Sequence, residues 1–102
     1  MRQYETLLLL SPELAPDGRK EIIDALTGII ERENGKMLLT DEWGMRDLAY
    51  AVNKQSRGFY VRLEYAAPGD CVTELERNIR ISDGIFKFIT VKLNDEFTPE
   101  EA

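Results

Sequence analysis

From residue 3 to residue 10 the chain reads QYETLLLL, alternating polar and apolar until the last four positions merge into an aliphatic run bounded by Ser11-Pro12. Alternation predicts a strand, and the closing run predicts cover on both of its faces. PDGRKEIIDALTGIIEREN follows, with Ile22, Ile23, Leu26, Ile29 and Ile30 at the i, i+1, i+4, i+7, i+8 spacing of one helical stripe. Pro16 suits the first turn, where its missing N–H costs nothing, and Asn34-Gly35 supplies a left-handed stop. Gly28 in a helix interior costs about 1 kcal/mol, so the expectation is that it permits close packing against a sheet.

Lys36 to Val52 reads as a long strand whose alternation breaks at Gly44, which predicts a bulge or bend there. Beyond the break, Leu48, Tyr50 and Val52 share one face. NKQSRG reads as a loop, and FYVRLEYA returns as a strand with Phe59, Val61, Leu63 and Tyr65 on one side and Tyr60, Arg62 and Glu64 on the other. A second helix follows PGD, with Asp70 placed to cap it or to favour its positive dipole end, and with Val72, Leu75, Glu76 and Ile79 marking the spacing. Asp83-Gly84 turns the chain into a last strand, IFKFITVKL. The order βαββαβ, with right-handed crossovers, predicts an α+β ferredoxin-like sandwich: a four-stranded antiparallel sheet with two helices on one face. One sheet face then has no helix, yet Leu7, Leu9, Ile89 and Val91 alternate with inward-facing residues on the first and last strands, so these four are candidates for a face covered by a partner.

A chain of 102 residues holds one such core, and the expected division is a domain over residues 1–93 and an acidic, flexible tail over residues 94–102. The hydrophobic share of 43% and charged share of 31% are those of a folded, water-soluble chain. No apolar run approaches the roughly 20 residues of a membrane helix. The lone Cys71 and the lack of a signal-peptide pattern lead to the expectation of a cytoplasmic protein. The formal charge of -6 is unevenly placed, because four carboxylates lie after Asn94 whereas Gly44 to Leu63 holds four cations against Asp47. Screening limits interactions to about 10 Å, so local sign decides what the surface attracts.

Catalytic constellations are hard to assemble from this composition. Histidine is absent, Cys71 has no partner thiol, and the seven glycines form no GxG pair for a phosphate-cradling loop. Asp41 and Glu42 are adjacent on a strand and point to opposite faces. The expectations are no enzyme, no metal and no cofactor. Arg57-Gly58-Phe59 begins like an RNA-recognition motif, but Tyr60, Val61 and Arg62 then depart from it, which weakens the case for a base-stacking platform on this strand. The hairpin's cations and aromatic rings leave two readings level: phosphate contacts that position the protein, or a solvated strand edge.

The stretch Trp43-Gly44-Met45-Arg46-Asp47-Leu48-Ala49-Tyr50, followed by Ala51-Val52-Asn53, resembles the signature of the bacterial small-subunit ribosomal protein S-six (S6) family. The likeness extends to Met1-Arg2-Gln3-Tyr4-Glu5, to Gly58-Phe59-Tyr60 and to Leu75-Glu76-Arg77, covering residues 1 to about 93. Val52 stands where the family more often has isoleucine. The resemblance implies a ferredoxin-like fold and a structural place on the platform of the small ribosomal subunit. There the chain would bind 16S ribosomal RNA together with ribosomal protein S-eighteen (S18), in the cytoplasm.

Under that resemblance, Arg2 and Arg46 are candidates for phosphate contact, as are Lys54 and Arg57 beside the hairpin loop and Lys92 near the end of the last strand. Leu7, Leu9, Trp43, Tyr50, Tyr60, Arg62, Ile89 and Val91 are the candidates for a protein partner. Trp43 beside Gly44 anchors either the bend or an interface, and Tyr50 either packs in the core, the slightly favoured reading, or meets the partner. Two rivals come from other classes. One is a stand-alone regulatory module that dimerises through its open sheet, and the other is a small acyl-phosphate phosphatase of like topology.

Overall fold

The computed structural model describes residues 1–52 and 54–94. Its elements run β1 (Arg2–Leu10), α1 (Pro16–Arg32), β2 (Lys36–Val52), β3 (Gln55–Ala67), α2 (Gly69–Arg80) and β4 (Ile85–Asn94). The strands form one antiparallel sheet in the order β2-β3-β1-β4, the ferredoxin-like arrangement expected from the element order. The tail over residues 95–102 and Asn53 lie outside the described residues.

The core follows from the register of the two central strands. Tyr4, Thr6, Leu8 and Leu10 stand opposite Tyr65, Leu63, Val61 and Phe59, and opposite residues in an antiparallel pair share a face. Onto that face α1 lays Ile23, Leu26, Ile29 and Ile30, while α2 lays Cys71, Leu75 and Ile79. Thr6 is the one buried polar residue among those described, and its hydroxyl is 2.9 Å from both the Tyr65 and the Thr90 hydroxyls. That triad satisfies the groups that β1 brings inside. Burial pushes the Tyr65 phenol up to about 12 and the Cys71 thiol up to about 11, the latter helped by the nearby charge of Glu33.

Gly44 sits at φ +93°, where β2 shifts register against β3 between Glu42 and Gly44, so the predicted break is a bulge at a left-handed glycine. Asn34, at φ 67°, supplies the left-handed stop after α1.

Three local expectations are corrected, and at Asp70 the dipole reading is the one that holds. Strand β3 begins at Gln55, because pairing persists to Val52↔Gln55 and only residues 53 and 54 separate the strands. Gly28 is exposed with open space where a Cβ would lie, so it serves no close packing. Pro68 is the N-cap of α2, and Asp70 lies in the first turn, where its charge favours the dipole without a capping hydrogen bond. The buried stripe of α2 is led by Cys71, with Val72 half-buried beside it.

Candidate interaction face

Side chains alternate along a strand, so the residues between the core positions emerge on the face that carries no helix. On β1 these are Gln3, Glu5, Leu7 and Leu9. Their register neighbours include Glu64, Arg62 and Tyr60 on β3 and Val91, Ile89 and Lys87 on β4. Strand β2 adds Asp41 opposite Arg62 and Arg46 opposite Gly58. The resulting surface has three zones.

One end is acidic. The Arg62 guanidinium donates from Nε to Glu5 and from Nη2 to Glu64 Oε2 at 3.1 Å, while Gln3 donates to the other Glu64 oxygen. The hydrogen bond to Glu5 is the main reason that the Arg62 guanidinium is held above its ordinary pKa. With Asp41 in register beside it, one cation is surrounded by three carboxylates. Trp43 joins this end to the middle: its indole N–H donates to Asp41 at 2.9 Å, and its ring lies 6.4 Å from that of Tyr60.

The middle is apolar. Leu7, Leu9 and Ile89, with Tyr60 and Lys87, outline a shallow recess of about 210 Å³. Leu9 is only 4% exposed although it faces away from the helices, whereas Ile89 is 64% exposed and Val91 is also exposed. Leu9 owes its cover to the close approach of Gly58 and to the tip of the β2–β3 hairpin, which leans over this face.

Beyond the middle lies a basic hairpin. Arg46 is on the open side by register, and Lys54 is exposed at φ 64° in the turn. Arg57 pairs with Asp47 at 3.2 Å on the opposite side of the hairpin. Lys87 emerges on the open face beside Leu9 and Tyr60. It was absent from the candidates, although its parity with Ile89 and Val91 marks it in the sequence.

The five candidate phosphate contacts are thus not on one rim. Arg46, Lys54 and Arg57 cluster at the hairpin, whereas Arg2 pairs with Ala67 and Lys92 with Tyr4 at the far end of β1. Tyr50 is 85% exposed, which overturns the reading that it packs in the core. Between Asp47↔Arg57 and Val52↔Gln55, four residues of β2 oppose the single Ser56 of β3, and this bulge lifts Tyr50 off the sheet.

Among the described residues no cluster of three or more His, Cys, Asp or Glu could hold a metal ion, and no helix is long and apolar enough to cross a membrane. Fold and face together define a small ferredoxin-like domain with one sheet surface left open by its helices.

A family model for ribosomal protein S6 matches residues 3–92. The small ribosomal subunit protein bS6 of Nitratidesulfovibrio vulgaris (strain Miyazaki F) is 70% identical over 95 residues, covering 93% of this chain and 94% of the relative. That of Solidesulfovibrio magneticus is 59% identical over 102 residues and covers the whole of both chains. The solved 30S ribosomal protein S6 of Thermotoga maritima superposes with a TM-score of 0.84 at 27% identity, over 89% of this chain and 86% of that one. The chain belongs to the ribosomal protein S6 family, whose members are structural, non-enzymatic components of the small ribosomal subunit.

Proposed function

We propose that this chain binds 16S ribosomal RNA on the platform of the small subunit together with protein S18, in the cytoplasm. The observation that carries the reading is the polarity of the open face, which runs from a carboxylate-rich end through exposed aliphatic side chains to a basic hairpin. A basic protein partner is complementary to the end bearing Glu5, Glu64 and Asp41, and would cover Leu7, Ile89 and Val91. RNA is complementary to the hairpin end bearing Arg46, Lys54, Arg57 and Lys87. Arg2 and Lys92 offer a second phosphate contact at the far end of β1.

This division accounts for how a chain of net charge -6 approaches RNA. The partner neutralises much of the phosphate field, and the few cations of this chain act locally. Binding to a platform fragment of 16S RNA, measured with and without S18 across a salt series, tests the proposal. Tight, salt-sensitive binding is expected only when S18 is present. Arg46→Ala should weaken that binding and lower the salt slope by about one phosphate contact while leaving the fold intact. Equal binding with and without S18 would refute the cooperative reading.

A further inference from the structure

The bulge that lifts Tyr50 creates a site that phosphate contacts do not explain. Leu48, Tyr50 and Val52 at the hairpin tip face Leu9, Tyr60 and Lys87 across a recess of about 200 Å³. Its lining combines aliphatic side chains with two tyrosines and one lysine. Tyr50 is 85% exposed, the most exposed of the large hydrophobic residues among those described, so most of its side chain meets solvent. Exposed aromatic surface of this kind is uncommon unless something covers it.

We infer that this recess takes an unpaired nucleobase, stacked on Tyr50, with Lys87 reaching the adjoining phosphate. The inference rests on the RNA-binding reading above and names a contact within it. The charge distribution favours RNA over a protein side chain here: Arg46, Lys54 and Lys87 lie on the tip or beside the recess, whereas the carboxylates of the open face are gathered at its other end. An aromatic face flanked by cations is the usual equipment for holding a base without reading its identity.

Stacking and charge neutralisation leave different signatures, which makes the site testable with the 16S platform fragment and S18. Tyr50→Leu is expected to weaken RNA binding by about tenfold or more at every salt concentration with the salt slope unchanged, and Tyr50→Phe to bind like the parent chain. Lys87→Ala is expected instead to lower the slope. Circular dichroism and the affinity for S18 alone should not change in the Tyr50 variants, because the ring is exposed. A Tyr50→Leu chain that binds RNA with parental affinity overturns the inference. So does one that loses S18 in the absence of RNA, which would make the recess a protein site. If Arg46→Ala and Lys54→Ala weaken binding while Tyr50→Leu does not, the nucleobase site alone fails; if the parent chain itself does not bind, the RNA-binding reading fails with it.

Discussion

Gly58 and Leu9 meet on the open face of the sheet so closely that a Cβ built on Gly58 overlaps Leu9 Cδ1 and comes within 3.2 Å of its Cγ. The absent side chain of one residue is the space occupied by the other. This contact explains how a leucine turned away from both helices is buried, and it ties the base of the hairpin to the centre of the sheet.

Gly58→Ala therefore forces Leu9 out of place. The expected loss is about 1–3 kcal/mol of stability, within the range for overpacking a closed site. Pairing it with Leu9→Ala should recover part of the loss, since the two changes share one volume. Chemical denaturation of the two single variants and the double variant measures the coupling, and strict additivity would show that the contact carries no energy.

Arg62 lies between Glu5 and Glu64 with Asp41 in register beside it, and its side chain is about one-fifth exposed. Arg62→Met leaves like charges opposed across β1 and β3, which is unfavourable for directly opposite positions. A loss of about 1–3 kcal/mol is expected, largely relieved by a second change, Glu5→Gln. Denaturation midpoints of the single and double variants at neutral pH decide it. An Arg62→Met chain as stable as the parent would mean that solvent screens the carboxylates fully.

Alkaline pH should lower the stability of the domain in two overlapping phases. The Tyr65 and Cys71 groups are both held above their ordinary values, from 10.0 to about 12 and from 9.0 to about 11. A raised pKa in the folded state contributes stability that is complete below the unfolded value and is lost as pH rises through the folded one. Thermal stability should thus hold through neutral pH, fall from about pH 9 as the thiol ionises, and fall further up to about pH 12 as the phenol does, by about 2–3 kcal/mol for each group. Cys71→Ala should remove the lower part of this decline, and Tyr65→Phe the upper. Melting temperature followed from pH 7 to 12 in the three chains gives the test, and identical profiles would sink the assignment.

Ile89 separates partner binding from folding. At 64% exposed it contributes little to the core, so Ile89→Asp should change stability by about 0.5 kcal/mol or less. The same change puts a charge into the apolar middle of the open face and should abolish association with S18. Calorimetric titration against S18 is the measurement, and undiminished affinity would move the partner off this surface.

The periodicities written into the chain determined the six elements and most of the core. Alternation in QYETLLLL and FYVRLEYA, and the isoleucine stripe of α1, are local patterns: each residue's place follows from neighbours a few positions away. The same parity exposed Leu7, Ile89 and Val91, and the motif around Trp43 by itself carries the likeness to the family. Pairing between distant segments decided the rest. The sheet register sent Arg2 and Lys92 to one end and Arg46 and Lys54 to the other, and it brought Lys87 beside Tyr60. A bulge of four residues against one moved Tyr50 from an expected core position to solvent, and the missing side chain of Gly58 buried Leu9. A one-residue slip in register reverses every side chain on a strand, so composition and spacing within one segment cannot settle which residues of another it will meet.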